Sequence, residues 1–198
     1  MRRAKRVIAA GLAGAVAMFI WGALSHLALL KGAGFTRLPN EEIVVAALRT
    51  SISEDGLYFF PSPDFSGKTT AAETAAWEAQ FRAGPTGMIV YHRSGGSPVS
   101  PKKLLLQFLS ELFAAGIGGF VLSLIVAPYW KRVLVMGLLG AFSCLSVSAI
   151  YWNWYGFPHA FFLAQCVDKV LGWLLAGSVM AAIVPEARTR QAAALRAQ

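Results

Sequence analysis

The chain has 198 residues, of which 56% are hydrophobic and 14% charged, and its mean hydropathy is +0.54. This composition excludes an ordinary soluble domain, because too few charged residues remain to cover a water-exposed surface. The net charge of +8 does not indicate a nucleic-acid partner, because Lys and Arg collect beside long apolar runs instead of forming a basic face interleaved with aromatic residues.

Four apolar runs are long enough to cross a lipid bilayer, which requires about 20 residues of helix. The first, 7–30, follows a strongly basic N-terminus. Its length and the bulky Trp21 favour an uncleaved anchor over a secretory signal peptide, whose apolar region is usually about 7–15 residues long. Three further runs are bounded by charged, aromatic or proline residues, as membrane spans usually are, and lie at 104–128, 132–153 and 161–184.

Positive charges beside the spans predict the orientation, since Lys and Arg near span ends are retained in the cytoplasm. Basic residues flank the first span, the 2–3 turn and the last span, whereas the connection from Asn153 to His159 contains none. We therefore expect a multi-pass protein of the plasma (inner) membrane with both termini, including the tail 185–198, in the cytoplasm. The loop 31–103 would be extracytoplasmic. The basic residues concerned are Arg2, Arg3, Lys5, Arg6, Lys131, Arg132, Arg188, Arg190 and Arg196.

The first half of the segment 31–103 is polar and contains the local signals of a folded domain. Asn40, followed by Glu41 and Glu42, predicts a capped helix that continues to about Thr50. The run at 56–61 is rich in aromatic residues and reads as a short strand.

The second half repeats this pattern of a helix followed by a strand. Thr70 and Glu73 have the spacing of a capping box, and Trp77 and Phe81 give the predicted helix an apolar ridge. A second strand is expected at 88–92. The predicted fold is thus an all-α membrane bundle of four transmembrane helices, with a small α+β extracytoplasmic domain inserted between helices 1 and 2.

Spans 2 and 4 carry polar residues at matching positions near their extracytoplasmic ends. Ionisable side chains in hydrocarbon cost about 2.5–3.5 kcal/mol each on insertion scales, so they usually face protein and are functional candidates. The matched layout, with small residues further along the same helix face, is compatible with two hairpins in direct repeat. The predicted intramembrane cluster consists of Gln107, Glu111, Gln165, Asp168, Lys169 and, near the end of span 1, His26.

We expect this cluster to line an outward-facing polar cavity in which Glu111 pairs with Lys169. Two roles remain open for it. The pair would be structural if it only locks the register of two helices. Alternatively, Glu111 and Asp168 would belong to a proton or ion path.

The connection between spans 3 and 4 concentrates aromatic residues around a Gly-Phe-Pro turn. Such residues form the ordinary aromatic belt of a membrane interface, but aromatic clusters also mark docking surfaces for a lipid headgroup or a partner subunit. The residues of this outer aromatic loop are Trp152, Asn153, Trp154, Tyr155, Phe157 and His159.

Cysteine and histidine usage gives no sign of a cofactor. Cys144 and Cys166 both lie in apolar runs, where we expect buried thiols rather than a disulfide. No two His residues have the spacing of metal ligands, and no Ser has a recognisable general base. The sequence therefore predicts no metal site, no cofactor and no nucleophilic centre.

The leading hypothesis from the sequence is a non-enzymatic accessory or assembly subunit that presents its outer domain and aromatic loop to lipid or to another membrane subunit. The alternative is a small transporter or a proton- or ion-conducting protein that uses Glu111, Asp168 and Lys169. A membrane-embedded enzyme is the third possibility.

Overall fold

The computed structural model describes residues 2–184, and the protein is 70% helical with one small two-stranded sheet. The predicted cytoplasmic tail 185–198 lies outside the described residues. The elements in chain order are α1 (Arg2–Leu24), a π-helical turn (Ser25–Leu29), α2 (Glu41–Ser51), β1 (Gly56–Phe60), α3 (Ala71–Ala83), β2 (Gly87–Tyr91), α4 (Pro101–Leu124), α5 (Tyr129–Ser143), a second π-helical turn (Cys144–Ser148), α6 (Ala149–Tyr155) and α7 (His159–Ile183).

The chain divides into two compact units. The larger, which we call the bundle unit, comprises 2–35, 99–153 and 157–184 of the described chain. The smaller, which we call the small unit, comprises 36–98 and 154–156.

Four helical segments are long and apolar enough to span a membrane, which confirms the predicted number of spans. Their boundaries differ from the predicted ones by a few residues. The second begins at Pro101 rather than 104, because the Ser100 side chain accepts a hydrogen bond from the backbone N–H of Lys103 at 3.3 Å and so caps the helix. The four segments are Ala4–Leu29, Pro101–Leu124, Tyr129–Tyr155 and His159–Ile183.

Small residues let the long helices of the bundle unit approach closely. A β-carbon placed on Gly140 of α5 would lie 2.5 Å from the backbone oxygen of Lys169 in α7. One placed on Gly11 of α1 would lie 3.2 Å from the α-carbon of Gly116 in α4. Such contacts are typical of membrane helices, which associate through packing of small side chains. The buried core consists of Ala10, Ala15, Ala115, Leu122, Met136, Ala176, Met180, Ala181 and Val184.

Cys144 and Cys166 form a disulfide, so the expectation of two separate thiols is wrong. The short turn after α6 folds α7 back along α5, and the two α-carbons come within 5.2 Å of each other. This distance is within the range of ordinary disulfides. The expectation failed because it judged each cysteine by its apolar surroundings and did not consider that the two face each other across one helical hairpin.

Arg132, which the sequence analysis named as a basic residue flanking a span, also makes a contact between helices. Its side chain is buried and donates a hydrogen bond to the backbone oxygen of Ala181 at 3.2 Å. The arginine therefore joins the start of α5 to the end of α7, where helix carbonyl groups favour a nearby cation.

The small unit contains the predicted succession of helix, strand, helix and strand. The strands β1 and β2 pair antiparallel, with Gly56 opposite Tyr91 and Phe60 opposite Gly87. Helix α2 begins after Asn40 as expected, but Asn40 has a left-handed backbone (φ 51°) and its side chain makes no capping hydrogen bond. The position of this helix start is confirmed, whereas the predicted capping by the asparagine is not.

Helix α3 begins with the predicted capping box, in which the side chain of Thr70 accepts from the backbone N–H of Glu73 and that of Glu73 accepts from the N–H of Thr70. The predicted ridge packs toward β1: Trp77 is half-buried and donates to the carbonyl of Pro61 at 3.1 Å. The ring of Phe81 stacks on Phe59, with 6.1 Å between ring centroids. The ridge is therefore in contact as predicted, but it is not fully buried.

Candidate functional site: a polar cavity between α1, α4 and α7

A cavity of about 390 Å³ lies between α1, α4 and α7 in the bundle unit. Glycines on two of these helices have no side chain to occupy it. A β-carbon placed on Gly22 of α1 would lie 3.8 Å from a carboxylate oxygen of Glu111. One placed on Gly172 of α7 would lie 2.9 Å from the Trp21 ring. We call this space the α1–α4–α7 cavity; five of the six polar residues predicted as an intramembrane cluster line it, namely His26, Gln107, Glu111, Asp168 and Lys169.

Glu111 lies on α4, one helical turn after Gln107. The side-chain amide of Gln107 donates to Oε1 of Glu111 at 2.7 Å, a pairing that the i,i+4 spacing on a helix allows. The Glu111 residue is only 9% exposed. Its Oε2 is buried and has no hydrogen-bond partner among residues 2–184. A buried carboxylate oxygen without a partner is costly, so this atom has unsatisfied capacity to accept a hydrogen bond.

Asp168 lies on α7 and is 5% exposed. Its Oδ2 is 3.4 Å from Nζ of Lys169 and 3.9 Å from Nε2 of His26, which the first π-helical turn places beside α7. Its Oδ1 is buried without a hydrogen-bond partner in the described part of the chain. The two carboxylates of the cavity thus each retain one free acceptor atom.

The predicted ion pair between Glu111 and Lys169 does not form. Lys169 pairs with its neighbour Asp168, while Glu111 accepts from Gln107 on its own helix. Equal depth in the membrane was the basis for the prediction, but the rotation of each helix decides which side chains meet. Asp168 faces α1, whereas the Lys169 side chain is 43% exposed.

Trp21 holds this side of α7 in place, a role that the sequence analysis missed. Its indole Nε1 donates to the backbone oxygen of Asp168 at 3.1 Å, and Gly172 leaves space for the ring one turn further along α7. Trp173 also lines the cavity. The glycine at 172 was a signal in the sequence, because small residues in membrane helices mark close contacts with a neighbouring helix. The sequence does not show which residue of which helix fills that contact.

The remaining predicted residue of the cluster, Gln165, does not line the same cavity. It borders two neighbouring cavities of about 360 Å³ each in the bundle unit. One of these shares His26 and Asp168 with the α1–α4–α7 cavity, and the other shares Lys169. Several cavities therefore adjoin one another around the first half of α7.

The predicted aromatic loop is shorter than expected, because Trp152, Asn153, Trp154 and Tyr155 belong to α6. Only 156–158 link α6 to α7, and Gly156 has the positive φ of 69° that this turn requires. Within the bundle unit, the rings of Trp152 and His159 meet at a centroid distance of 5.4 Å, and Phe157 packs on Phe161. His159 is thus an aromatic contact and does not line the cavity.

Further along the bundle from the cavity, helices α1, α4, α5 and α7 are joined by apolar contacts. Gly14, Ala115 and Met180 pack together where α1, α4 and α7 meet, and Gly118 lies against Met136 and Trp173. Among residues 2–184, no Ser, Thr, Cys or Tyr lines the cavity itself. The arrangement can accept hydrogen bonds and bind positive charge, but it offers no hydroxyl or thiol nucleophile.

A concavity of about 950 Å³ is lined by a single segment of the small unit, 37–49. Within residues 2–184, no three His, Cys, Asp or Glu side chains are grouped so that they could hold a metal ion. Comparison of the chain with protein-family models, curated proteins and solved structures found no match.

Proposed function

We propose that this protein is a non-enzymatic integral membrane protein of the accessory or binding type, and that its recognition site is the α1–α4–α7 cavity. One observation carries the proposal. Glu111 and Asp168 are both buried, both line the cavity, and each has a carboxylate oxygen without a hydrogen-bond partner in the described chain. Burial of such groups costs free energy, which a bound donor would recover.

The surroundings of the cavity favour binding over conduction. A proton or ion path would need polar groups or water along the whole bundle. Here the polar residues that line the cavity lie at one end, and small apolar residues and methionines pack the helices beyond them. The buried Ser123 and Arg132 lie at the opposite end and do not line the cavity. The cavity thus resembles a site that ends within the bundle more than a continuous path. Enzymatic chemistry is less supported, because the lining contains no nucleophilic hydroxyl or thiol.

We further propose that the cavity end and the small unit lie on the extracytoplasmic side of the plasma (inner) membrane, with both termini in the cytoplasm. The basic flanks support this orientation. The disulfide supports it independently, because disulfides persist in oxidising compartments and Cys166 lies near the turn that precedes α7. The small unit and the aromatic residues 152–159 would then be available to lipid or to another membrane subunit.

The binding proposal is tested by purifying wild-type protein, Glu111→Gln and the control Glu42→Gln from the same cells and identifying retained small molecules and lipids by mass spectrometry. Glu42 is an exposed carboxylate of the small unit, so its replacement controls for the chemical change alone. We expect one retained compound to be depleted in Glu111→Gln only. Identical compounds in all three preparations, or proton flux through wild-type liposomes that Glu111→Gln abolishes, would overturn the proposal.

The orientation is tested by labelling. A cysteine at Ser66 in the small unit should react with an impermeant maleimide in intact cells, and one at Gln198 only after lysis. The native cysteines should become reactive only after reduction. Labelling of Gln198→Cys in intact cells would reverse the proposed topology.

A further inference from the structure

The chemistry of the α1–α4–α7 cavity restricts what it can bind, and the following inference rests on the proposed binding function. We infer that the ligand carries a primary ammonium group on an apolar chain. Three features of the cavity lead to this conclusion: its formal charge, its free hydrogen-bond acceptors and its apolar walls.

The formal charge of the lining is negative. Glu111 and Asp168 contribute two formal negative charges and Lys169 contributes one formal positive charge, so these three residues together carry a formal charge of one negative unit. Lys169 already lies 3.4 Å from Asp168, so it neutralises that carboxylate rather than attracting an anion. Opposite charges attract, so a ligand with one positive charge complements this cavity best.

The free atoms of the lining are acceptors. Oε2 of Glu111 and Oδ1 of Asp168 have no hydrogen-bond partner among residues 2–184. A primary ammonium has three N–H donors and can donate charge-assisted hydrogen bonds, which are the stronger kind, to carboxylates such as these. A quaternary ammonium has the same charge but no N–H, and an alcohol has a donor but no charge. Neither satisfies the site as a primary ammonium does.

The rest of the lining is apolar and would hold a hydrocarbon chain. Side chains from α1 and α4 supply aliphatic and aromatic surface, and two indole rings, those of Trp21 and Trp173, also border the space. Indoles attract cations as well as apolar groups. The apolar lining residues include Met18, Phe19, Leu27, Val99 and Leu104.

The test uses matched single-chain amphiphiles added to the purified full-length protein in detergent, with binding measured by calorimetry. Dodecylamine, dodecyltrimethylammonium and dodecanol share one chain and differ only in the headgroup. We expect dodecylamine to bind most tightly, with dodecyltrimethylammonium and dodecanol each weaker by about tenfold or more, because each lacks part of a charge-assisted hydrogen bond.

Variants connect this preference to the cavity. Glu111→Gln should weaken dodecylamine binding by about tenfold to a hundredfold and leave dodecanol unchanged, while Glu42→Gln should change neither. Gly22→Leu keeps every charge but places a larger side chain beside Glu111, so it should weaken binding of all three probes. Thermal unfolding of each variant shows that it is folded before binding is measured.

The source of the ammonium is resolved by competition. If phosphatidylethanolamine displaces dodecylamine and phosphatidylcholine does not, the ligand is a membrane lipid headgroup. If neither lipid displaces dodecylamine, the ligand is a soluble amine. Both results support the inference. If dodecanol binds wild type as tightly as dodecylamine, and Gly22→Leu weakens the binding of both, the ammonium inference is wrong but the binding function stands. If all three probes bind every variant equally and no compound is depleted in Glu111→Gln, the proposed binding function itself is wrong.

Discussion

The two units of the chain differ most in what lies between their helices. In the bundle unit, long helices touch through glycine, alanine and methionine, and nine hydrophobic residues form one buried core. In the small unit, which comprises 36–98 and 154–156, Tyr91 is the only buried residue, and neither α2 nor α3 contributes any. The bundle unit also has a disulfide, which joins the second π-helical turn to α7, whereas the small unit contains no cysteine.

This difference shows where each unit obtains its stability. Helices in lipid gain little from the hydrophobic effect and depend on close packing, so one added methyl group at a contact is expensive. A thin α/β unit cannot bury much surface, so it relies on local devices such as caps, strand pairing and a few ring contacts. Substitutions in the bundle unit should therefore have large effects through packing, and those in the small unit smaller and more local ones.

The largest effect should come from Gly140→Ala in the bundle unit. Its new β-carbon would lie 2.5 Å from the backbone oxygen of Lys169, which cannot rotate away as a side chain could. Overpacking of this kind costs about 3 kcal/mol. The midpoint of thermal unfolding in detergent should fall clearly.

Gly116→Ala is the matched control for this substitution. Gly116 is on α4, and a β-carbon there would meet nothing within 4 Å. Alanine also favours a helix over glycine by about 1 kcal/mol, so this variant should be as stable as wild type or slightly more so. Equal melting of the two variants would contradict the view that glycine contacts set the stability of the bundle unit.

The largest effect in the small unit should come from Trp77→Ala. The indole donates to Pro61 and contacts the ring of Phe81, but it is only half-buried. Full burial of a tryptophan would make its loss cost about 3–5 kcal/mol, so half burial suggests about 2 kcal/mol. Hydrogen exchange of α3 and β2 in the full-length protein should rise accordingly.

Phe65→Ala provides the comparison, since this aromatic residue of the same unit is 81% exposed. Its removal should change the free energy of opening, measured by hydrogen exchange, by no more than about 0.5 kcal/mol. Equally large effects from both substitutions would mean that the ridge on α3 does not carry the packing of the small unit.

Sequence patterns predicted the parts of this fold that depend on local chemistry. Hydropathy alone indicated the number of spans, because satisfying backbone groups in lipid demands long apolar helices. The capping box at Thr70 was also predictable, since two side chains three residues apart determine it. The cap at Asn40 was not, because a residue that can cap can instead adopt a left-handed backbone.

Contacts between helices could be predicted only in part. The matched spacing in spans 2 and 4 predicted a polar cluster, and five of its six residues line one cavity. When Gln107 of span 2 is matched to Gln165 of span 4, Glu111 is matched to Lys169, yet Glu111 is buried and Lys169 is half-exposed. Helix α7 packs on both α1 and α5. This packing sets the rotation of α7 about its own axis, and the spacing of residues in the sequence does not reveal it. The same limit concealed the disulfide and the bond from Trp21 to α7.

A smaller effect is expected from Thr70→Ala at the start of α3. The substitution removes the oxygen that accepts from the backbone N–H of Glu73. Loss of such a cap costs about 1 kcal/mol. Exchange should increase in the first turn of α3 and little elsewhere. Thr69→Ala removes an exposed threonine just before the cap and should leave the exchange unchanged; an equal response to both would show that the capping box does not stabilise this helix.

The smallest effect should be a dependence of the strand pair on acidic pH. Asp55 immediately precedes β1, and its carboxylate accepts from the backbone N–H of Arg93 at 2.8 Å and lies 3.4 Å from Nδ1 of His92, just after β2. The backbone hydrogen bond from Arg93, with a smaller contribution from His92, lowers the pKa of Asp55 below its usual value. A lowered pKa means that the folded state favours the ionised form. The stabilisation is therefore fully present above the unfolded pKa of about 3.9 and is lost as the pH falls through the lower folded value.

Hydrogen exchange of β2 in the full-length protein measures this loss. After correction for intrinsic rates, protection should be lower at about pH 3 than at about pH 5, and Asp55→Asn, which cannot ionise, should reduce this difference. Because the carboxylate is fully exposed to solvent, the change should remain within the ends of β1 and β2 and leave α3 protected. Loss of protection throughout the small unit, to the same extent in wild type and Asp55→Asn, would show that acid acts on some other group. The strand ends would then be held by main-chain pairing alone.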